Sequence, residues 1–184
     1  MPRKTPTPLD ANALWEYALR TLSVRAYSVA ELREKLRVRA ARPEDVPEAL
    51  SRLKERGYMN DERLAENFAV SRLENQGIGK ARVIRDLRKR RVAPAVAERA
   101  ATEAYRDSDE VTLIEAYLRR KYRTVPLETA FAEPKALASA YRRLRTAGFS
   151  TANSIRVLKR FAKAAEMLDA IEDDDSSTNE PRTE

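Results

Sequence analysis

The sequence predicts an all-α protein of about three tandem three-helix units, and three observations predict it. Glycine is scarce, at four residues in 184, while Ala, Leu, Arg and Glu, all strong helix formers, are abundant. Apolar residues recur at three- and four-residue spacing, and no stretch alternates with a period of two, so no sheet is expected. A short Leu-Arg sequence also recurs. Glu34-Lys35-Leu36-Arg37-Val38-Arg39 is echoed by Arg85-Asp86-Leu87-Arg88-Lys89-Arg90 and, more faintly, by Arg142-Arg143-Leu144-Arg145-Thr146-Ala147. Leu36 and Leu87 are 51 residues apart and Leu87 and Leu144 are 57 apart. A period of that size marks stacked helical repeats.

The apolar stripes follow in order. Trp15 falls near the start of the first helix and is expected to pack into the first unit. Val29, Leu32 and Leu36 share one helical face, and Val46, Ala49, Leu50 and Leu53 share the next. Leu64, Ala65, Phe68, Ala69 and Leu73 form a third stripe, Ile84 and Leu87 a fourth, and Val96, Ala97, Ala100 and Ala104 a fifth. Leu113, Ile114, Tyr117 and Leu118 precede Leu137, Tyr141 and Leu144. The last stripe runs through Ile155, Leu158, Phe161, Ala162, Ala165 and Leu168. Each needs an apolar neighbour, because burying one Leu or Phe contributes ~1.5–3 kcal/mol.

Punctuation agrees with these stripes. Ser28-Val29-Ala30-Glu31 is a capping box, and Ser150 suits the cap of the final helix. Pro43 and Pro94 fit a first helical turn. Gly57 and Gly148 suit the left-handed position that follows a helix. The resulting boundaries are residues 10–58, 59–106 and 107–171 for the three units. Residues 1–9, with three of the nine prolines, and the acidic stretch 172–184 fall outside them as disordered tails. Thr124 to Pro134 interrupts the third unit as a mobile loop or a short helix.

Composition narrows the function. The chain has neither cysteine nor histidine. Disulfides, thiolate chemistry, most zinc sites and the commonest general base are therefore excluded, and neither a metal nor a cofactor is expected. Gly77-Ile78-Gly79-Lys80 resembles a phosphate loop only superficially, lacking its long glycine spacing and its Ser/Thr. No paired-carboxylate motif is present either, so the chain reads as a binding protein and not an enzyme. No apolar run approaches the ~18 residues of a membrane span. The basic N-terminus has no apolar core of a secretory signal, which leaves the cytoplasm as the default address.

Lys and Arg outnumber Asp and Glu by 36 to 29. Residues 172–184 hold six acids and one base, so the preceding 171 residues carry +12. Such a field favours polyanionic partners. The densest basic run is Lys80, Arg82, Arg85, Arg88, Lys89, Arg90 and Arg91, with only Asp86 nearby to neutralise it. Arg82, Arg85 and Lys89 lie opposite the Ile84–Leu87 stripe, and a guanidinium fork there suits carboxylates or phosphates. Arg119, Arg120, Lys121 and Arg123 make a second cluster. Arg142, Arg143 and Arg145 with Arg156, Lys159, Arg160 and Lys163 make a third. The candidate partner-binding residues are thus Arg82, Arg85, Arg88, Lys89, Arg119, Arg120, Arg142, Arg143, Arg156 and Lys159. Asp61 reads as a helix-start residue and Tyr58 as packing between units.

One stretch carries a specific resemblance. Gly57-Tyr58-Met59-Asn60-Asp61-Glu62-Arg63-Leu64-Ala65 resembles the glycine-tyrosine-hydrophobic-Asn/Asp-Asp signature of the RecX family, regulators of the RecA recombinase. Ser28 through Leu36 is similar to that family's first-unit motif, Gly77 through Leu87 to its second, and Leu144 through Gly148-Phe149-Ser150 to its third. The sequence departs from the family pattern at Lys80 and Ala147. The resemblance implies an elongated, curved array of three-helix repeats; the chain itself is expected to act as a monomer. It implies binding to the RecA filament with suppression of ATP hydrolysis, strand exchange and coprotease activity, and for some members binding to single- or double-stranded DNA. The competing expectation is an autonomous DNA-binding helical protein, whose affinity would fall steeply with salt.

Overall fold

The computed structural model describes residues 7–162. Within that range the chain forms α1 (Ala11–Val24), α2 (Val29–Arg37), α3 (Asp45–Glu55), α4 (Asp61–Gln76), α5 (Lys80–Lys89), α6 (Pro94–Ala104), α7 (Glu110–Lys121), α8 (Leu127–Ala130), α9 (Pro134–Ala147) and α10 (Thr151–Phe161). No strand occurs among the described residues beyond one isolated bridge of Leu9 with Ala40.

The anticipated caps are in place. The Ser28 hydroxyl accepts the Glu31 amide, and the Glu31 carboxylate accepts the Ser28 amide at 2.9 Å, which closes the capping box of α2. Asp10, Asp109 and Ser150 satisfy amides at the starts of α1, α7 and α10. Pro94 and Pro134 open α6 and α9, where the missing amide costs nothing. Pro43 instead lies two residues ahead of α3, in the turn that leads into it. At the end of α9, Gly148 takes φ 90°, and the Phe149 amide turns back to the Leu144 carbonyl at 3.2 Å.

Leu36, Leu87 and Leu144 occupy the corresponding helices α2, α5 and α9, and all three are fully buried. The repeat spacing therefore marks equivalent core positions of tandem three-helix repeats. The interruption in the third repeat contains the four-residue α8, whose Leu127 is buried beside Phe131.

Two compact units form. Among the described residues the first comprises 7–69 with Ile84–Ala101, and the second Val70–Val83 with 102–162. The first unit's core joins Leu14 and Ala18 of α1, Leu32 and Leu36 of α2, and Leu50 and Leu53 of α3. The second unit's core joins Ile114 and Leu118 of α7, Leu137 and Leu144 of α9, and Ile155 and Leu158 of α10, with Phe149 closing one end against Tyr117.

Three expectations change. Leu9 was assigned to a disordered tail, yet its amide donates to the Arg39 carbonyl at 2.7 Å and its carbonyl accepts the Ala41 amide at 2.8 Å. Tyr58 was expected to pack between units, but it is 52% exposed and meets the Trp15 ring edge-on within the first unit. Asp61 was expected to cap its own helix. Asn60 does that by accepting the Arg63 amide, while the Asp61 carboxylate accepts the Val29 amide at 2.9 Å and so caps α2. Ala165, Leu168, Lys163, residues 1–6 and the acidic stretch 172–184 lie outside the described residues.

Candidate partner-binding surface

The basic run around α5 is neutralised more fully than its own sequence suggests. Arg88 pairs with Glu98 of α6 at 2.5 Å, Arg90 with Glu31 of α2 at 3.0 Å, and Arg91 with Glu34 of α2 at 3.6 Å. Asp86 is therefore not the only acid at hand. The other carboxylates arrive from helices that the linear sequence leaves 10, 59 and 57 residues away. Arg82 donates to the Thr146 carbonyl at 3.3 Å, and Arg85 is engaged as well. Lys89 alone of the run's candidates is exposed without a carboxylate partner among the described residues.

Arg90 is the structural centre of this run. It stands one residue beyond α5, its guanidinium also donates to the Ala26 carbonyl at 2.6 Å, and its own carbonyl accepts the Ser28 hydroxyl at 2.5 Å. Glu31, between Arg90 and Arg25, is mostly buried. Burial alone would raise its pKa, but the Arg90 hydrogen bonds, the Ser28 amide and the Arg90 charge outweigh it and hold the carboxyl below the usual range. The first unit thus closes α2 against the end of α5 through a hydroxyl and a charged clamp.

The second unit repeats that junction with different chemistry. Gly79 precedes α5 as Ser28 precedes α2, and its amide donates to the Ala147 carbonyl at the end of α9 at 2.9 Å. The residue offsets are those of the leucine repeat: Ser28 to Gly79 is 51 and Arg90 to Ala147 is 57. A Cβ on Gly79 would stand 2.2 Å from the Gly148 carbonyl carbon, and one on Gly148 would stand 2.2 Å from the Arg82 amide nitrogen. In Gly77-Ile78-Gly79, Gly79 thus serves close backbone approach, and Gly77 takes left-handed backbone at φ 51°. Tyr105 steadies the same turn by donating to the Ile78 carbonyl at 2.6 Å, and burial pushes its phenol up to about 12. On the opposite side of the Phe149 turn, Glu110 accepts the Ser150 amide and hydroxyl and the Asn153 side-chain amide. Nothing in the sequence flagged Glu110 for that role.

The remaining candidates divide the same way. Arg119 pairs with Glu115 at 3.4 Å, Arg120 donates to the Gln76 carbonyl, and Lys159 is engaged. Arg160 and Arg145 also serve the fold, the first on Glu115 and the second on the Phe149 carbonyl. Arg142 and Arg143, adjacent on α9, are exposed and have no partner for their guanidinium groups among the described residues. Arg156 on α10 is exposed too. Its field adds to the Thr112 and Val111 hydrogen bonds that hold the Asp109 carboxyl below its ordinary range. In the second unit the cations offered outward are therefore Arg142, Arg143 and Arg156.

The described residues contain no group of three or more acidic side chains placed to hold a metal ion. They also contain no helix long and apolar enough to cross a membrane. Unneutralised guanidinium groups on a helical scaffold can do one thing well, which is to hold carboxylates or phosphates of a larger partner.

Comparison with known proteins agrees with the repeat architecture. Residues 15–61 match the RecX first three-helix domain and residues 60–100 match the RecX second three-helix domain. The Regulatory protein RecX of Syntrophotalea carbinolica is 30% identical over 139 residues, which span 75% of this chain and 89% of that protein. Its counterpart from Deinococcus radiodurans is 36% identical over 151 residues, 80% of this chain and 68% of that protein. The crystal structure of RecX from Lactobacillus salivarius shares the fold with a TM-score of 0.63 at 21% identity, over 82% of this chain and 96% of that one. Recurrent three-helix repeats, the capped α2 and the Gly-Tyr turn all fall inside these matches, and the chain belongs to the RecX family of regulatory proteins.

Proposed function

We propose that this chain binds the filament of the RecA recombinase in the cytoplasm and lowers its ATP hydrolysis, strand exchange and coprotease activity. The observation that carries the reading is relatedness along 89% of a Regulatory protein RecX. The pattern of free and engaged cations supports it. Lys89, Arg142 and Arg143 face outward without the carboxylates that occupy Arg88, Arg90, Arg91 and Arg119, and Arg156 faces outward in the field of Asp109. A filament that presents acidic side chains would meet these groups with electrostatic steering, which speeds encounter more than it deepens affinity.

The test is ATP hydrolysis by RecA on single-stranded DNA, titrated with the full chain. Hydrolysis falls as the chain approaches the concentration of filament subunits. Unchanged hydrolysis at saturating chain, in both low and moderate salt, contradicts the proposal.

A further inference from the structure

The turn that follows α5 holds Arg91, the one non-glycine residue at positive φ among the described residues, at 59°. Its hydrogen bonds match those of the turn after α9. The Arg91 amide donates to the Arg88 carbonyl at 2.8 Å and the Val92 amide to the Leu87 carbonyl at 3.2 Å. Likewise the Gly148 amide donates to the Arg145 carbonyl at 3.1 Å and the Phe149 amide to the Leu144 carbonyl at 3.2 Å. Arg91 and Gly148 are 57 residues apart, the offset of the repeat. Glycine is the unstrained choice at such a position, yet the earlier turn carries arginine there. Backbone strain of this kind clusters at binding sites.

The fold itself makes little use of the Arg91 side chain. Its carboxylate is Glu34 at 3.6 Å, and Glu34 stands equally far from Arg37. Exposed pairs of this length contribute little. Arg91 lines a groove of about 510 Å³ bounded by the start of α2, the end of α3, the turn into α4 and the turn after α5, all within the first unit. Arg33 of α2 and Lys54 of α3 line it too, both exposed and without a carboxylate partner among the described residues. Neither has an acid three or four positions away on its own helix. Two acids also line the groove, and each is partly engaged. Asp61 accepts the Val29 amide through one oxygen, and Glu62 pairs with Arg99 at 2.6 Å. Val29, Met59 and Ala93 supply an apolar lining between the charged groups.

Three cations, an apolar lining and two carboxylates with oxygens to spare favour one class of occupant. A nucleic-acid strand would set phosphates on the cations, but its backbone has no N–H to offer the carboxylates and no apolar side chain for the lining. A peptide supplies all three, with acidic side chains for the cations, an apolar side chain for the lining and backbone amides for Asp61 and Glu62. We infer that this groove binds a short acidic peptide segment of a partner protein, its carboxylates on Arg33, Lys54 and Arg91 and one apolar side chain against Met59. The groove includes none of Lys89, Arg142, Arg143 and Arg156, and its test needs no recombinase. This inference and the proposed function therefore fail separately.

The probe is a fluorescein-labelled synthetic peptide in which Asp and Glu flank a single leucine, and the readout is its anisotropy on titration with the full chain. The peptide binds at low salt, and its affinity falls as salt rises. Arg91→Gly and Lys54→Gln each lower the affinity about threefold to tenfold, since each removes one charge-assisted contact. Arg91→Gly does so with a urea midpoint equal to or above the parent's, because glycine relieves the left-handed strain. Replacing the peptide's leucine by serine weakens binding by about the same factor, as the apolar lining then goes unused. The inference is overturned if the peptide does not bind, if either folded variant binds it as the parent does, or if the serine peptide binds equally well. A lowered urea midpoint for Arg91→Gly removes the strain argument and overturns it too. So does an oligodeoxythymidylate that displaces the peptide and loses its own affinity in the same two variants, which makes the groove a phosphate site.

Discussion

The junction of α2 with the end of α5, inside the first compact unit, and that of α5 with α9, inside the second, are equivalent in register and opposite in chemistry. Both bring the start of one repeat's middle helix to the end of the next repeat's middle helix. The first does so with the Ser28 hydroxyl on the Arg90 carbonyl and a Glu31–Arg90 ion pair. The second does so with the Gly79 amide on the Ala147 carbonyl, backbone against backbone, and with the Arg82 guanidinium on the Thr146 carbonyl in place of an ion pair. A stacked-repeat fold thus conserves the backbone approach and leaves open how the approach is held. The polar version tolerates adjustment and depends on charge. The glycine version depends on volume and should ignore pH.

The largest effect should come from the glycine junction. Gly148→Ala places a Cβ into the Arg82 backbone and also forces alanine into left-handed backbone, and Gly79→Ala collides with the Gly148 carbonyl. Overpacking typically costs about 1–3 kcal/mol, and backbone against backbone falls at or beyond the upper end. Urea unfolding of each variant checks this, with Gly77→Ala as a milder comparison that carries only the left-handed strain of φ 51°, because nothing lies closer than 3.9 Å to its Cβ position.

The hydroxyl junction should lose less. Ser28→Ala removes an N-cap and a buried hydrogen bond and costs about 1–2 kcal/mol. Arg90→Ala leaves Glu31 without its principal partner and costs about 2 kcal/mol, since hydrogen bonds to charged groups contribute about 1.5–3. If Ser28→Ala proves as damaging as Gly79→Ala, the distinction between the two junctions fails.

Acid should expose the same contrast more gently. Glu31 is held below its unfolded pKa, so it contributes stability above that value, and the contribution disappears as pH falls through the lower folded value. Stability is then flat from neutrality to about pH 5 and declines below about pH 4.5. Glu31→Gln removes part of that decline. Part remains because the Asp109 carboxyl, also held low, titrates in the same sense. Urea midpoints across this range, for parent and variant, provide the check.

The sequence made the helical register legible because it is local. Leu36, Leu87 and Leu144 announce themselves by spacing, and the Ser28 capping box needs only four residues to be recognised. The partners of the basic run were not legible. Whether Arg90 is a binding group or a clamp depends on Glu31, and only the fold decides that they meet. Asp61 misled for a similar reason: its position at a helix start fits a cap, but the amide it caps is Val29 on another helix. Gly79 looked like part of a weak phosphate motif, whereas its role is set by the Gly148 backbone 69 residues away. Charge density along the chain thus counted as free several cations around α5 that the fold pairs with carboxylates, and gave no extra weight to Arg142 and Arg143 on α9, which have no carboxylate partner among the described residues.

That last distinction gives the most direct test of the proposed function. The measurement is inhibition of RecA ATP hydrolysis by two variants beside the parent. One replaces Arg142, Arg143 and Arg156 with alanine, and the other carries Arg88→Ala. All four side chains are exposed, so each substitution changes stability by about 0.5 kcal/mol or less. The account predicts that the triple variant needs several-fold more protein to inhibit, with a weaker salt dependence, while Arg88→Ala inhibits like the parent. Full inhibition by the triple variant, with loss of inhibition in Arg88→Ala, would contradict it.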